Sequence, residues 1–314
     1  MATEQAARPR QVRTRLMGVL RVFIGRIPPL IGNPIADRLG DLAYHVATRS
    51  RRAVISNMRH VMGPVPRPKL KRTVRGVFRS LMRNYYDLCR APDMTNEQID
   101  RVTDFDMQGW GRIVELHNQK RGVVLVTGHF GAFDVITQVI SRRGLPVTFL
   151  IAQFKPTWLS DFITDLRADR GLNLIPVDEV EGSGLNIGAL KRSITLLRSG
   201  EILGVVADRN MEQRGVTIKF FGHDTVVAPG VAKMALRTRS VIVTGFCHRL
   251  PGNRYDLIFG EPIEPVGSAS NEDDIKALLT QIFSRFERHI GRNPEQWVLL
   301  QPVWPTDEGS GARG

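Results

Sequence analysis

The sequence predicts an α/β protein: a central, largely parallel sheet flanked by helices, with an N-terminal basic helical region. Three observations carry that expectation. From residue 103 to about residue 265, short runs rich in Val, Ile and Leu alternate with helical stretches, as crossover helices between parallel strands require. The clearest run, Gly122-Val-Val-Leu-Val-Thr127, is continuously apolar, which suits a strand covered on both faces. The charge is also segregated. Residues 1–90 hold 19 Lys+Arg against 4 Asp+Glu, net +15, whereas the remaining 224 residues carry a net −2.

The basic third reads as three helices. Leu16, Leu20, Phe23, Ile24 and Ile27 share one face, with Arg13, Arg15, Arg21 and Arg26 at intervening positions, and Pro28-Pro29 ends the segment. A second helix is expected from near Pro34 to about Met62, with Leu39, Leu42, Ala43, Val46 and Ala47 as its apolar stripe. Pro64, Pro66 and Pro68 break the chain, and a third helix runs from about Lys69 to Arg90. The first helix fits a lipid interface, because an apolar stripe flanked by arginines suits that position. The second and third are expected to pack on the rest of the protein, with their arginines as a solvated face.

The alternating region gives strands at 122–127, 147–151, 172–177, 202–207, 241–247 and 255–259, with 216–221 either a strand or an extended loop. Helices fall at 131–143, 156–170, 185–199 (closed by Gly200) and 229–238, followed by a last one at 271–290. The expected divisions are residues 1–102 as a basic helical membrane-docking region, 103–306 as the α/β core, and 307–314 as a disordered tail.

Composition narrows the function. With 42% hydrophobic and 24% charged residues the chain is ordinary for a globular protein. Two cysteines, Cys89 and Cys247, exclude a disulfide scaffold and a Cys-rich zinc module, and suit a reducing compartment. No apolar run reaches the ~20 residues of a spanning helix, and Arg21 and Arg26 interrupt the stretch that would serve a signal peptide. A net charge of +13 calls for a polyanion, either an anionic membrane surface or a nucleic acid. No nucleic-acid reader motif is present, which favours the membrane surface.

Two polar clusters follow strands at the end where parallel sheets bind ligands. The first is Thr127-Gly128-His129-Phe130-Gly131-Ala132-Phe133-Asp134. Gly128 and Gly131 allow tight turning and close approach of a ligand. His129 precedes the helix and Asp134 enters it, so the two can converge, and a His held by a carboxylate is a competent general base. The plain alternative is a structural His, with Asp134 favouring the positive helix end. The second cluster is Ala207-Asp208-Arg209-Asn210, followed by Gly215 to Gly222 and then Ala228-Pro229-Gly230. Asp208 and Arg209 taken alone read as a local ion pair. Gly182 to Gly188 has neither dinucleotide-fingerprint nor P-loop spacing. The remaining histidines show no metal spacing, and His223 is expected in a solvated loop. No serine sits in a nucleophile elbow.

Seven motifs occur together in order: Arg51-Arg52-x4-Asn57, Gly128-His129-x4-Asp134, Arg167-x3-Gly171 with Leu174-Ile175-Pro176, Ala207-Asp208-Arg209-Asn210, Phe220-Phe221-Gly222, Pro229-Gly230 and Pro294-Glu295-Gln296-Trp297. The set resembles the bacterial lipid acyltransferases of the lipid A lauroyl/myristoyl type, within the lysophospholipid acyltransferase superfamily. The segment from Asp208 to Gly222 is most similar to the phosphatidylinositol mannoside branch. The resemblance implies an α/β core with membrane-docking helices, on the cytoplasmic face of the cell membrane as a peripheral monomer. It implies transfer of a fatty acyl group from acyl-CoA or acyl carrier protein to a glycolipid hydroxyl, with no metal and no other cofactor. Phosphatidylinositol mannoside is the first acceptor, and lipid A-type or other lysophospholipid acyl transfer the alternative. His129 matches the family's base and Asp134 the acid of the same motif. Asp208 stands where the mannoside branch has a His-orienting carboxylate, usually Glu. Arg167 matches an arginine near the acceptor. Phe133 and Gln153 depart from that branch's Trp and Glu, which bears on acceptor identity. Backbone N–H groups near Gly128 to Gly131 or at Gly230, or else Arg209, would hold the oxyanion. Asp208 and Asp134 both stand as candidate partners of His129. The non-enzymatic alternatives are a membrane-surface binder and a nucleic-acid binder using the basic third.

Overall fold

The structure, a computed structural model, describes residues 18, 20–152, 157–168, 172–177, 187–210 and 214–304. Residues 20–26 are helical, and the expected break falls at Pro28. Helix α1 then spans Pro29–Val46, α2 Thr48–Met62 and α3 Arg67–Arg90. The single helix expected from Pro34 to Met62 is therefore two. Pro29 sits at the first helical position, where a missing N–H costs nothing, while Ala47 at φ −84°, ψ 65° separates α1 from α2 without any proline or glycine to announce it.

The three large side chains of the expected apolar stripe are turned outward, while Ala43 and Ala47 pack on the core. Leu39, Leu42 and Val46 are 51%, 58% and 68% exposed, whereas Ala36, Gly40, Asp41 and Tyr44 are buried. The reason is electrostatic. Asp41 accepts from Arg75 (2.5 Å to each oxygen) and from Arg79 (2.7 and 2.9 Å), and Asp37 accepts from Arg83 (2.6 and 2.7 Å). The hydrogen bonds from Arg79 and then Arg75 hold the Asp41 carboxyl well below the ordinary carboxylate range. The arginines of α3 thus tie down the polar side of α1, and its apolar side is left facing outward.

Four short elements follow: α4 (Asn96–Val102), β1 (Thr103–Phe105), α5 (Met107–Asn118) and β2 (Val123–Thr127). No pattern in the sequence announces α4, β1 or α5. Helix α4 begins with a capping box between Thr95 and Gln98, and the Asp106 side chain caps α5 through the Gly109 N–H at 2.8 Å. The alternation then runs as expected: α6 (Phe133–Ser141), β3 (Val147–Ala152), α7 (Thr157–Ala168), β4 (Asn173–Val177), α8 (Ile187–Arg198) and β5 (Ile202–Val206). Next come β6 (Val216–Phe220), β7 (His223–Val227), α9 (Gly230–Thr238), β8 (Val241–Leu250), β9 (Arg254–Phe259) and α10 (Glu272–Arg292).

Seven strands form one sheet in the order β1-β9-β8-β2-β5-β3-β4, parallel at every pairing except β8 with β9. Strand β2 is central, and its residues alternate between two apolar cores. Val124 and Val126 face a core shared with α2, α3, α9 and α10, while Val123 and Leu125 face α5 and α6. Val54, Met58, Val74 and Phe78 lie in the first of these, so the basic helices pack directly on the sheet.

Residues 216–221, open between strand and loop in the sequence, form an antiparallel hairpin of β6 with β7. Phe221 and Gly222, at φ 50° and 77°, make its two-residue turn. His223 is therefore the first residue of a strand, not part of a loop, and its ring meets the edge of His60 at 4.7 Å. The expected tail at 307–314 and most of the Gly182–Gly188 loop lie outside the described residues.

Candidate active site

Strands β2 and β5 are neighbours with Thr127 opposite Val206. Gly128-His129 and Ala207-Asp208 consequently leave the sheet side by side at the same end. The chain leaving β2 reaches β3 beyond β5, and the chain leaving β5 reaches β8 beyond β2. Connections that part in opposite directions open a crevice between adjacent strand ends.

In that crevice His129 Nδ1 lies 2.7 Å from Asp208 Oδ1. The other oxygen, Oδ2, accepts the backbone N–H of His129 and the indole Nε1–H of Trp297, both at 2.8 Å. The Asp208 side chain is wholly buried, while 26% of the His129 side chain is exposed. Burial alone would raise the Asp208 carboxyl, but attraction to the neighbouring His129 and the bonds from His129 and Trp297 outweigh it and hold the group below its ordinary value. An ionised carboxylate can only accept, so Nδ1 carries the imidazole proton and Nε2 is left as a base.

Asp134 is not part of this pair. It accepts from Arg167, through Nε at 3.0 Å and through Nη2. Of the two carboxylates open in the sequence, Asp208 therefore meets His129, and Asp134, one residue into α6, meets α7.

The glycines serve the backbone. A Cβ on Gly128 would stand 3.0 Å from Asp208 Oδ2, so glycine leaves room for the close approach of the carboxylate. Gly131 has φ 59°, and a Cβ on it would lie 1.9 Å from the Cys247 carbonyl oxygen. The expectation that N–H groups of this loop face an oxyanion is corrected at residues 129 to 132. His129 N–H donates to Asp208, Phe130 N–H to Gly128 O, Gly131 N–H to Gln296 O and Ala132 N–H to Cys247 O. The pairing of Phe130 with Trp297 and of Gly131 with Cys247 is also why α6 starts at Phe133 and not at 131.

Arg209 is directed to Gln301 Oε1 at 3.0 Å, so the local Asp208–Arg209 ion pair gives way to separate partners. Arg209, Asn210, Val226, Phe283, Leu299 and Gln301 line a cleft that reaches Asp208. Pro229 and Gly230 open α9, and nothing lies within 4 Å of where a Gly230 Cβ would be. Gln153 lies outside the described residues. Among the described residues no three His, Cys, Asp or Glu side chains are grouped to hold a metal ion.

Two buried clusters had no signal in the sequence. Asp87 on α3 binds Arg249 Nη1 at 2.6 Å and accepts from the Tyr255 hydroxyl at 2.9 Å. His248 Nε2 lies 2.8 Å from His289 Nδ1, which joins β8 to α10.

The sequence matches the bacterial lipid A biosynthesis acyltransferase family over residues 5–306. The chain belongs to that family. It is an acyltransferase of lipid biosynthesis, so the readings of the chain as a protein without catalysis fall. The chain is 26% identical to the phosphatidylinositol mannoside acyltransferase of Mycolicibacterium smegmatis (strain ATCC 700084 / mc(2)155) over 255 residues, covering 80% of this chain and 78% of the relative. It is 24% identical to the protein of the same name from Mycobacterium tuberculosis (strain CDC 1551 / Oshkosh), covering 80% and 76%. The lipid A biosynthesis acyltransferase of Haemophilus influenzae (strain ATCC 51907 / DSM 11121 / KW20 / Rd) is 17% identical and covers 89% and 83%. The crystal structure of the 1-acyl-sn-glycerophosphate (LPA) acyltransferase PlsC from Thermotoga maritima is 15% identical, covers 90% and 97%, and superposes with a TM-score of 0.34.

Proposed function

We propose that this acyltransferase moves a fatty acyl group from acyl-CoA, or from acyl carrier protein, to a hydroxyl of a phosphatidylinositol mannoside at a membrane surface. The observation that carries the reading is the 2.7 Å contact between His129 Nδ1 and the buried Asp208, which leaves Nε2 on a partly exposed ring. In this reaction Nε2 takes the proton of the acceptor hydroxyl as its oxygen attacks the thioester carbonyl. The tetrahedral intermediate collapses, the carbon–sulfur bond breaks, and the leaving thiolate takes the proton back from the imidazolium. Asp208 fixes the tautomer at the start and offsets the imidazolium charge in between. Arg167, held by Asp134, is the acceptor-side cation.

The acceptor is the one in the names of the mycobacterial relatives. The membrane surface rests on the outward face of α1, where Leu30, Ile31, Ile35, Leu39, Leu42 and Val46 are all exposed beside a region of net +15. Basic residues near an anionic surface contribute ~1 kcal/mol each. No helix among the described residues is long and apolar enough to cross a membrane, so peripheral attachment, to the cytoplasmic face where acyl-CoA is supplied, is part of the reading.

The test is incubation with labelled acyl-CoA or acyl carrier protein and three acceptors: phosphatidylinositol mannosides, a lipid A precursor and lysophospholipids. Label in the mannosides with wild type, and none with His129→Ala, supports the reading. Label confined to either of the other two acceptors replaces the acceptor, and full activity of His129→Ala removes the mechanism.

A further inference from the structure

Trp297 donates its indole N–H to the oxygen of Asp208 that does not face the His129 ring, at 2.8 Å. The indole is 1% exposed and packs edge-on against Phe220 and Trp304, at 6.0 and 6.3 Å between centroids. Ring burial alone would explain a tryptophan here. It does not explain why the indole nitrogen points at the carboxylate.

The segment that delivers the indole is fastened on both sides. Val298 N–H donates to the His129 carbonyl at 2.8 Å, and Gly131 N–H to the Gln296 carbonyl at 2.8 Å. The Gln296 side chain accepts from the backbone N–H of Arg249 and donates to its carbonyl, at 2.8 and 2.9 Å. Further along, the Asn57 side chain of α2 donates to the Gln301 carbonyl at 2.7 Å and accepts the Val303 N–H at 3.0 Å. Residues 296–303 therefore lie as a strap across the His129 loop, held to β8 at one end and to the basic helices at the other.

We infer that Trp297 is a positioning residue of the acyltransferase, which acts through Asp208 to set the orientation and tautomer of His129. With Oδ2 held by Trp297 and by the His129 backbone, the carboxylate has one rotation left to it, and Oδ1 faces Nδ1. Without the indole donor, one fixed point of that carboxylate is lost, and its negative charge is offset by one N–H fewer. It then holds the imidazolium more tightly, so the base is both less well aimed and harder to deprotonate.

The inference rests on His129 being the base, and the experiment separates the two claims. Position 297 is replaced with 3-benzothienylalanine by stop-codon suppression, which puts sulfur in place of the N–H and keeps the ring. Trp297→Phe serves as a second variant, and wild type and His129→Ala accompany both. Each is assayed with hexadecanoyl-CoA and phosphatidylinositol mannosides in anionic vesicles, and the His129 ring nitrogens are followed by ¹⁵N NMR. We expect kcat to fall roughly ten- to hundredfold in the isostere, the scale of losing a hydrogen bond to a charged group, with KM little changed. We also expect the acid limb of kcat/KM to move to higher pH and the ¹⁵N shifts of the His129 ring to change. A purely structural role leaves the isostere with wild-type kcat, pH profile and ¹⁵N shifts while Trp297→Phe loses stability, and that result overturns the inference while leaving His129 in place. Wild-type activity in His129→Ala overturns both.

Discussion

Asp134 accepts from the guanidinium of Arg167, and not from His129, although it stands five residues after that histidine in one motif. The carboxylate that serves His129 comes instead from a neighbouring strand end, 79 residues further along the chain.

The two carboxylates should therefore fail differently. Asp134→Asn removes a charged partner from Arg167, whose side chain is 19% exposed, and should lower stability by about 1.5–3 kcal/mol and raise KM for an anionic acceptor. Thermal melts and a double-mutant cycle with Arg167→Ala check this. Additive effects would show that the pair is not coupled.

Asp208→Asn keeps the shape of the site and loses the charge that offsets the imidazolium. We expect kcat to fall by ~10²–10⁴, with His129→Ala falling at least as far and melting near the wild-type temperature. Stopped-flow release of free thiol from acyl-CoA measures both variants. More than about a tenth of wild-type turnover in His129→Ala would mean that another group is the base.

The outward face of α1 should be needed for membrane binding. Leu39→Glu with Leu42→Glu places charge where 51% and 58% of those side chains are already exposed, so folding should be little affected. Sedimentation with anionic vesicles should drop sharply, and removal of residues 1–33 should weaken it as well. Undiminished sedimentation of the double variant would assign that face to something other than lipid.

The His248–His289 pair should make stability depend on pH. Burial first, and then the neighbouring His248 and arginines, push the His289 ring down to about 4. The unfolded chain takes up a proton near the ordinary histidine value, so between pH 6.5 and about 4 it binds more protons than the folded chain. This contribution is whole above that window and is lost as pH falls through it. Melting temperature should decline from pH 7 to pH 4.5, with a shallower decline in His289→Phe. Equal slopes would place the sensitivity elsewhere.

The sheet and its crossover helices were legible because buried parallel strands are written as continuous apolar runs, and 122–127, 147–151 and 202–207 each became a strand within a residue or so. Helices α4 and α5 were not, because their starts are set by single capping side chains, Thr95 and Asp106. The face of α1 was misread because periodicity shows which side chains share a side, and the ion pairs of Asp37 and Asp41 decide which side turns inward. His129 and Asp208 were legible as polar residues beyond strand ends. Their union depended on the register of β2 against β5, a long-range fact that no local pattern contains. Trp297 was visible only as part of a motif, since nothing in Pro-Glu-Gln-Trp announces a hydrogen bond to Asp208.

The bond between Asn57 and Val303 joins positions 246 residues apart, and that distance is also an interval of time. A ribosome adding about 5–20 residues per second needs roughly 12–50 s to travel from one to the other. For most of that interval the basic helices, complete at Arg90, have been made while the strap that bonds Asp208 has not. Synthesis thus delivers the basic helices of this acyltransferase first, and the bond from Trp297 to Asp208 forms only when the final segment settles into place.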